Sequence, residues 1–124
     1  MTLRKTTLAA ALALSCGLSM LAYAHSGATG IVKERMDFFK QNKDNLKNIK
    51  THFRNGDLDA IIPLAKQIRD CAEKMPAYFP AGSDGKPSEA SPQIWLDFSA
   101  FERAADANYQ AANQLVMAAK AGDS

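Results

Sequence analysis

The 124-residue sequence is poor in the residues that fix a fold covalently or carry out common catalytic chemistry. It has two cysteines, Cys16 and Cys71, and two histidines, His25 and His52. No Gly-rich phosphate loop and no paired-histidine zinc motif is written in it. Nucleotide-phosphate binding and zinc hydrolase chemistry therefore have no sequence support, and no other enzyme constellation appears. There is no strand-type alternation, no internal repeat and no low-complexity tract, which argues against sheets and solenoids. No apolar run is long enough to cross a bilayer, because Leu8–Leu14 is broken soon afterwards by Ser15, Gly17 and Ser19.

What is present begins with a targeting pattern. Arg4 and Lys5 make a basic start, Leu8–Leu14 an apolar middle, and Ala22-Tyr23-Ala24 a small-x-small cleavage signal. This is the anatomy of a secretory signal peptide, so residues 1–24 are expected to be removed on export to the periplasm. Ala13-Leu14-Ser15 is a poor approach to a lipid-modified Cys16. Arg4 and Lys5 are the segment's two bases and it has no acid. Removing them from 15 bases and 13 acids leaves 13 of each. The expected mature chain, residues 25–124, is formally neutral and no helix in it reads as basic, which removes any electrostatic case for nucleic acid. After signal cleavage nothing predicts membrane association. Cys71 would then be the sole cysteine, leaving no internal disulfide framework, and it reads as a small core residue.

The rest reads as three amphipathic helices. The first is expected over Ile31–Arg54, with Thr29 as N-cap candidate. Its stripe is Val32, Met36, Phe39, Leu46, Ile49 and Phe53, and Asn55-Gly56 ends it. The second is expected over Leu58–Met75, capped by Asp57, with Ile61, Ile62, Ala65, Ile68 and Ala72 on its apolar face. Pro63 should kink its first turns, unless the helix starts just before that residue. Pro76–Ser91 is a long Pro/Gly-rich loop whose Tyr78 and Phe79 suggest a packed lid. The third helix is expected from Pro92, capped by Ser91, to about Ala121, with Asp97, Glu102 and Asp106 on its exposed side. Gly122 reads as its C-cap, and Asp123 and Ser124 as N-cap candidates for a further helix. Each large apolar side chain covered is worth about 1.5 to 3 kcal/mol. Four left uncovered would forfeit about 6 to 12 kcal/mol, the scale of a whole domain's stability. The helices are therefore expected to close on one another or to find a partner chain.

Three segments then resemble one family. Val32-Lys33-Glu34-Arg35-Met36-Asp37 resembles the first helix of the cytochrome c′ family. Phe79-Pro80-Ala81-Gly82-Ser83 with Ser91-Pro92-Gln93-Ile94-Trp95 resembles its second-to-third-helix connection. Ala118-Ala119-Lys120-Ala121-Gly122-Asp123 resembles its third-helix end. The resemblance implies an all-α, antiparallel, up-down-up-down bundle of which this chain supplies three of four helices. It implies a periplasmic role in haem binding with one-electron transfer or gas binding. In the family a fourth helix carries Cys-x-x-Cys-His, whose thioethers attach haem c and whose histidine ligates iron. This sequence has no such motif, so the chain reads as truncated before the haem-attachment helix and is expected not to attach haem c by itself.

The same resemblance assigns distal haem-pocket candidates: Arg35, Met36, Phe39, Phe79 and Trp95. In six-coordinate relatives a methionine occupies the position of Phe39 and ligates iron; a phenyl ring cannot. Met36 is either core filler or an axial ligand. Arg35 either lies near haem propionates, as in the family, or snorkels to solvent. Trp95 and Phe98 are core in either case. His52 is expected to be solvent-exposed, well off the stripe. The alternative reading is a haem-free helical interaction module, or a copper-binding one using His25. After cleavage His25 would be N-terminal, and its imidazole, amine and backbone nitrogens suit copper. The expected partners are a second copy, pairing through helices one and two as the family often does, and a periplasmic redox protein if haem is present.

Overall fold

The computed structural model describes residues 29–123; the expected signal peptide and His25 lie outside them. Four α-helices follow one another: α1 Gly30–Arg54, α2 Leu58–Lys74, α3 Gln93–Leu96 and α4 Phe98–Ala121. A 3-10 turn, Met75–Tyr78, extends α2. The architecture is all-α. No helix among the described residues is long and apolar enough to cross a membrane.

Local chemistry sets the boundaries. Asp57 caps α2, its carboxylate accepting the Ala60 N–H at 3.3 Å. Gly56 (φ +72°) makes the tight reversal after α1, and Gly122 (φ +74°) closes α4 in the left-handed conformation. Thr29 stands at the start of α1, but its hydroxyl makes no capping bond. The second helix runs unbroken from Leu58 through Pro63. The carbonyl left without a donor belongs to Asp59, an exposed residue open to water.

The expected third helix is in fact two. Ser91 starts the short α3, its Oγ accepting the Gln93 N–H at 3.3 Å. Asp97 then leaves helical geometry (φ −139°, ψ 74°) and caps α4 through the Ala100 N–H at 3.0 Å. Asp97 is thus exposed, as expected, but as a cap between helices and not as a mid-helix residue. The periodic apolar pattern continues across the break, which hid it.

The helices are antiparallel. Advancing along α1, the partners of Asn42 and Asn45 move back along α2, from Cys71 to Gln67. Along α2 the same reversal holds against α4. Ile61, Ala65 and Ile68 form one cluster with Ala112, Val116 and Ala119, whereas Cys71 and Met75 join Phe98, Phe101 and Ala105. Small residues let α2 and α4 approach closely: Ala65 is 0 % exposed. α2 packs on both long neighbours, while the backbones of α1 and α4 nowhere come within 8 Å (Cα–Cα).

This arrangement overturns the expected stripe of α1. Of its six members only Ile49 is buried; Met36, Phe39, Leu46 and Phe53 are 50 to 54 % exposed. The side facing α2 instead holds Arg35, Asn42, Asn45 and Ile49. The polar members are tolerated because each has a partner: Asn45 donates to Gln67 Oε1 at 3.0 Å and Asn42 to Cys71 Sγ at 3.4 Å. The stripe spans a wider arc than one neighbouring helix can cover. The described helices therefore do not close over it. α1 is also basic, contrary to expectation, with seven Lys and Arg against three acids.

Ile61 is 1 % exposed within the α2–α4 core cluster. Ile61→Ala should lower unfolding free energy by about 2 to 5 kcal/mol in urea denaturation. A change below about 0.5 kcal/mol would show that this contact is not the core.

Candidate functional site

A cleft of about 460 Å³ opens between the start of α1, the loop after the 3-10 turn, and the starts of α3 and α4. Its wall is mostly apolar: Val32, Met36, Phe39, Phe79, Ile94 and Phe101, with Arg35, Ser88 and Glu89 as its polar members. Four of the five expected pocket residues, Arg35, Met36, Phe39 and Phe79, meet here. Trp95 does not line the cleft. It holds the loop from behind, its indole N–H shared between the Phe79 and Pro80 carbonyls at 3.0 and 3.1 Å.

Arg35 is neither solvated nor pointed outward. It is 2 % exposed. Nη1 donates to the Tyr78 carbonyl at 3.2 Å and to Ser83 Oγ at 2.8 Å. Nη2 donates to the Ser83 carbonyl and to Ser88 Oγ, both at 2.5 Å. The guanidinium carbon lies 4.5 Å from the centroid of the Phe79 ring, a cation–π stack. Burial pulls the Arg35 pKa below its ordinary value, and the Asp84 carboxylate pushes back. The planar fork satisfies acceptors spread over the loop at once, which an ammonium cannot do. The snorkelling alternative is thereby overturned.

Phe79 is the floor of the cleft. It is 3 % exposed and packs edge-on against Phe101, centroids 4.7 Å apart. The expected lid is therefore a fixed wall. Met36 is half exposed on the cleft, so it is not core filler. Phe39, one turn on, is 52 % exposed beside it. Trp95 and Phe98 are partly buried in the cluster behind Phe79, as expected.

The other sequence candidates lie elsewhere. His52 is about 25 Å along α1 from Arg35. It is partly buried there, not solvent-exposed as expected, because the turn brings Asp57 Oδ2 to 3.5 Å from its Nδ1. Cys71 is a buried free thiol, the small core residue the sequence suggested. Among the described residues no three His, Cys, Asp or Glu side chains converge as a metal site. Sequence reading missed Ser83, Ser88 and Glu89. Loop serines carry no periodic signal; only a buried arginine in need of acceptors could have pointed to them.

Residues 30–124 match the family model for cytochrome c′. The chain belongs to the cytochrome c′ family. It is also similar to the cytochrome c′ of Rhodospirillum rubrum, 43 % identical over 60 residues. That match covers 48 % of this chain and 41 % of the relative, so the chain spans about two fifths of the relative's length. No solved structure gives a significant match.

Arg35→Met leaves the Tyr78 and Ser83 carbonyls without donors. It should cost about 1 to 3 kcal/mol per unsatisfied buried group and speed amide exchange across 79–90, with Arg35→Lys recovering only part. Unchanged exchange in Arg35→Met would remove the clamp. Burial raises the Cys71 thiol pKa, against the Asn42 hydrogen bond and the Lys74 charge. Above the unfolded thiol's pKa of about 8.5 the unfolded chain loses a proton that the folded chain keeps. The thiol's contribution is therefore complete below that pH and is lost as pH rises. Stability should fall above it by at most about 1.4 kcal/mol per pH unit, and Cys71→Ala should flatten that slope in urea titrations run at stepped pH.

Proposed function

We propose that this chain is an exported, periplasmic cytochrome c′-type protein whose cleft forms the distal face of a haem site. Its role is that of haem binding with one-electron transfer or gas binding. The observation that carries this is the cleft itself: aromatic and aliphatic side chains of α1, α4 and the loop form one apolar wall, drawn in part from the segments that resemble the family's first helix and second-to-third-helix connection.

The wall suits a flat apolar macrocycle. The anchoring side is different, because no histidine or cysteine lines the cleft. The two cysteines of the sequence lie 55 positions apart and cannot form Cys-x-x-Cys-His. The chain therefore offers a face for haem and does not attach haem c by itself. A haem, when bound, supplies a redox-active iron. The residues of this chain exclude water and shape the space beside it. Phe39 contributes bulk and no lone pair. Met36 is the lining side chain with a soft sulfur donor. Arg35 spends its donors on the loop, which makes it a strut behind the wall and not a group free to pair with propionates.

Co-expression of the full chain with the haem c maturation apparatus, followed by acid–acetone extraction, tests the attachment claim. All haem should be extracted, and the protein mass should lack any haem adduct; a retained adduct overturns it. Titration with free hemin tests the face. A saturable Soret shift should appear and weaken at least about tenfold in Phe39→Asp, since a buried carboxylate opposes an apolar ligand. No shift, or one indifferent to Phe39, overturns the distal-face reading.

A further inference from the structure

The apolar cleft holds few polar groups, and they are not alike in what they leave free. Arg35 gives both Nη nitrogens to the loop. Ser88 is the only hydroxyl among the residues that line the cleft, and it is half-buried. A hydroxyl oxygen has two lone pairs to accept with and one proton to donate. Both lone pairs of Ser88 Oγ are occupied: Arg35 Nη2 donates to it at 2.5 Å and the Ala90 N–H at 3.1 Å. The proton is left with the remaining tetrahedral direction, and no acceptor among the described residues receives it. A cation donating to the oxygen also strengthens the O–H as a donor, because hydrogen bonds in a chain polarise one another.

Glu89 stands next to Ser88 on the same wall. It is exposed and makes no ion pair among the described residues. The Arg35 charge is already opposed by Asp84, and Lys86 of the same loop does not line the cleft. The Glu89 carboxylate is therefore the uncompensated charge at this end. We propose that Ser88 donates its hydroxyl proton to a neutral acceptor oxygen, such as a carbonyl, of a planar apolar ligand, and that Glu89 keeps anionic groups away from that end of the cleft. A pure hydrocarbon would cover the hydroxyl and leave its proton unpaired, which costs more than a bond made there. A carboxylate would satisfy Ser88 but would meet Glu89 one residue away. Arg35 is then a positioning residue that acts on the ligand through Ser88. The inference rests on the cleft being a ligand face, as proposed above, and not on iron.

The full chain is titrated with three fluorescent probes. Prodan is neutral and planar and carries one carbonyl. N-phenyl-1-naphthylamine is neutral and has no carbonyl. Anilinonaphthalene sulfonate has the same rings as the second probe with an anionic group added. Ser88→Ala should weaken prodan about threefold to tenfold and shift its bound emission to the blue, with N-phenyl-1-naphthylamine unchanged. Ser88→Thr should restore both prodan readings. Glu89→Gln should tighten the sulfonate at least about threefold at low salt, an effect that about 300 mM salt should shrink, without moving the neutral probes. Equal losses of prodan and N-phenyl-1-naphthylamine in Ser88→Ala would make Ser88 a strut of the loop only and overturn the proposal. So would an unaltered prodan signal, a prodan signal that survives Phe39→Asp, a sulfonate indifferent to Glu89→Gln, or no prodan binding at all. The haem reading is judged separately: hemin that binds and is lost in Phe39→Asp leaves that reading standing beside any of these failures.

Discussion

A single buried guanidinium organises the functional end of this molecule. Arg35 projects from α1 into a loop that has little regular structure of its own, and it meets that loop at Tyr78, Ser83 and Ser88. Burying such a charge is costly unless its donors are satisfied, so the loop must wrap around it in one arrangement. Phe79 is fixed from two sides as a result, by the guanidinium on its face and by Phe101 at its edge. Trp95 ties down the adjoining carbonyls. The cleft keeps its shape because these contacts come from three different helices.

The same logic explains which faces of α1 are covered. Polar residues turn inward where a partner waits for them, and large apolar ones remain outside where no described helix reaches. Hydrophobicity alone would rotate α1 the other way. Hydrogen bonds at Arg35, Asn42 and Asn45 make the observed setting tolerable, since buried without partners those groups would lose water without replacement.

Much of the fold was legible in the sequence. The caps at Asp57 and Gly122, the Asn55-Gly56 reversal and the apolar face of α2 are local signals, and the structure follows them. The break at Asp97 was not legible, because an aspartate amid a continuing periodic pattern looks like a surface residue. The site was half legible. Arg35, Met36, Phe39 and Phe79 were named through a family resemblance, but Arg35's role and the serines that receive it depend on residues 43 to 53 positions away. Contacts of that separation leave no trace in local periodicity.

The central place of α2 has a consequence for how the chain acquires its shape. α1 and α2 are neighbours in sequence, joined by a tight reversal, and such a local pairing closes with little loss of chain entropy and forms early. The tie from Arg35 to Ser88 spans 53 residues. It can be made only after α1 has docked on α2 and the loop has turned back. The α1–α2 hairpin can thus form first and the wall of the cleft set later, so the binding surface rests on contacts between segments far apart in the chain.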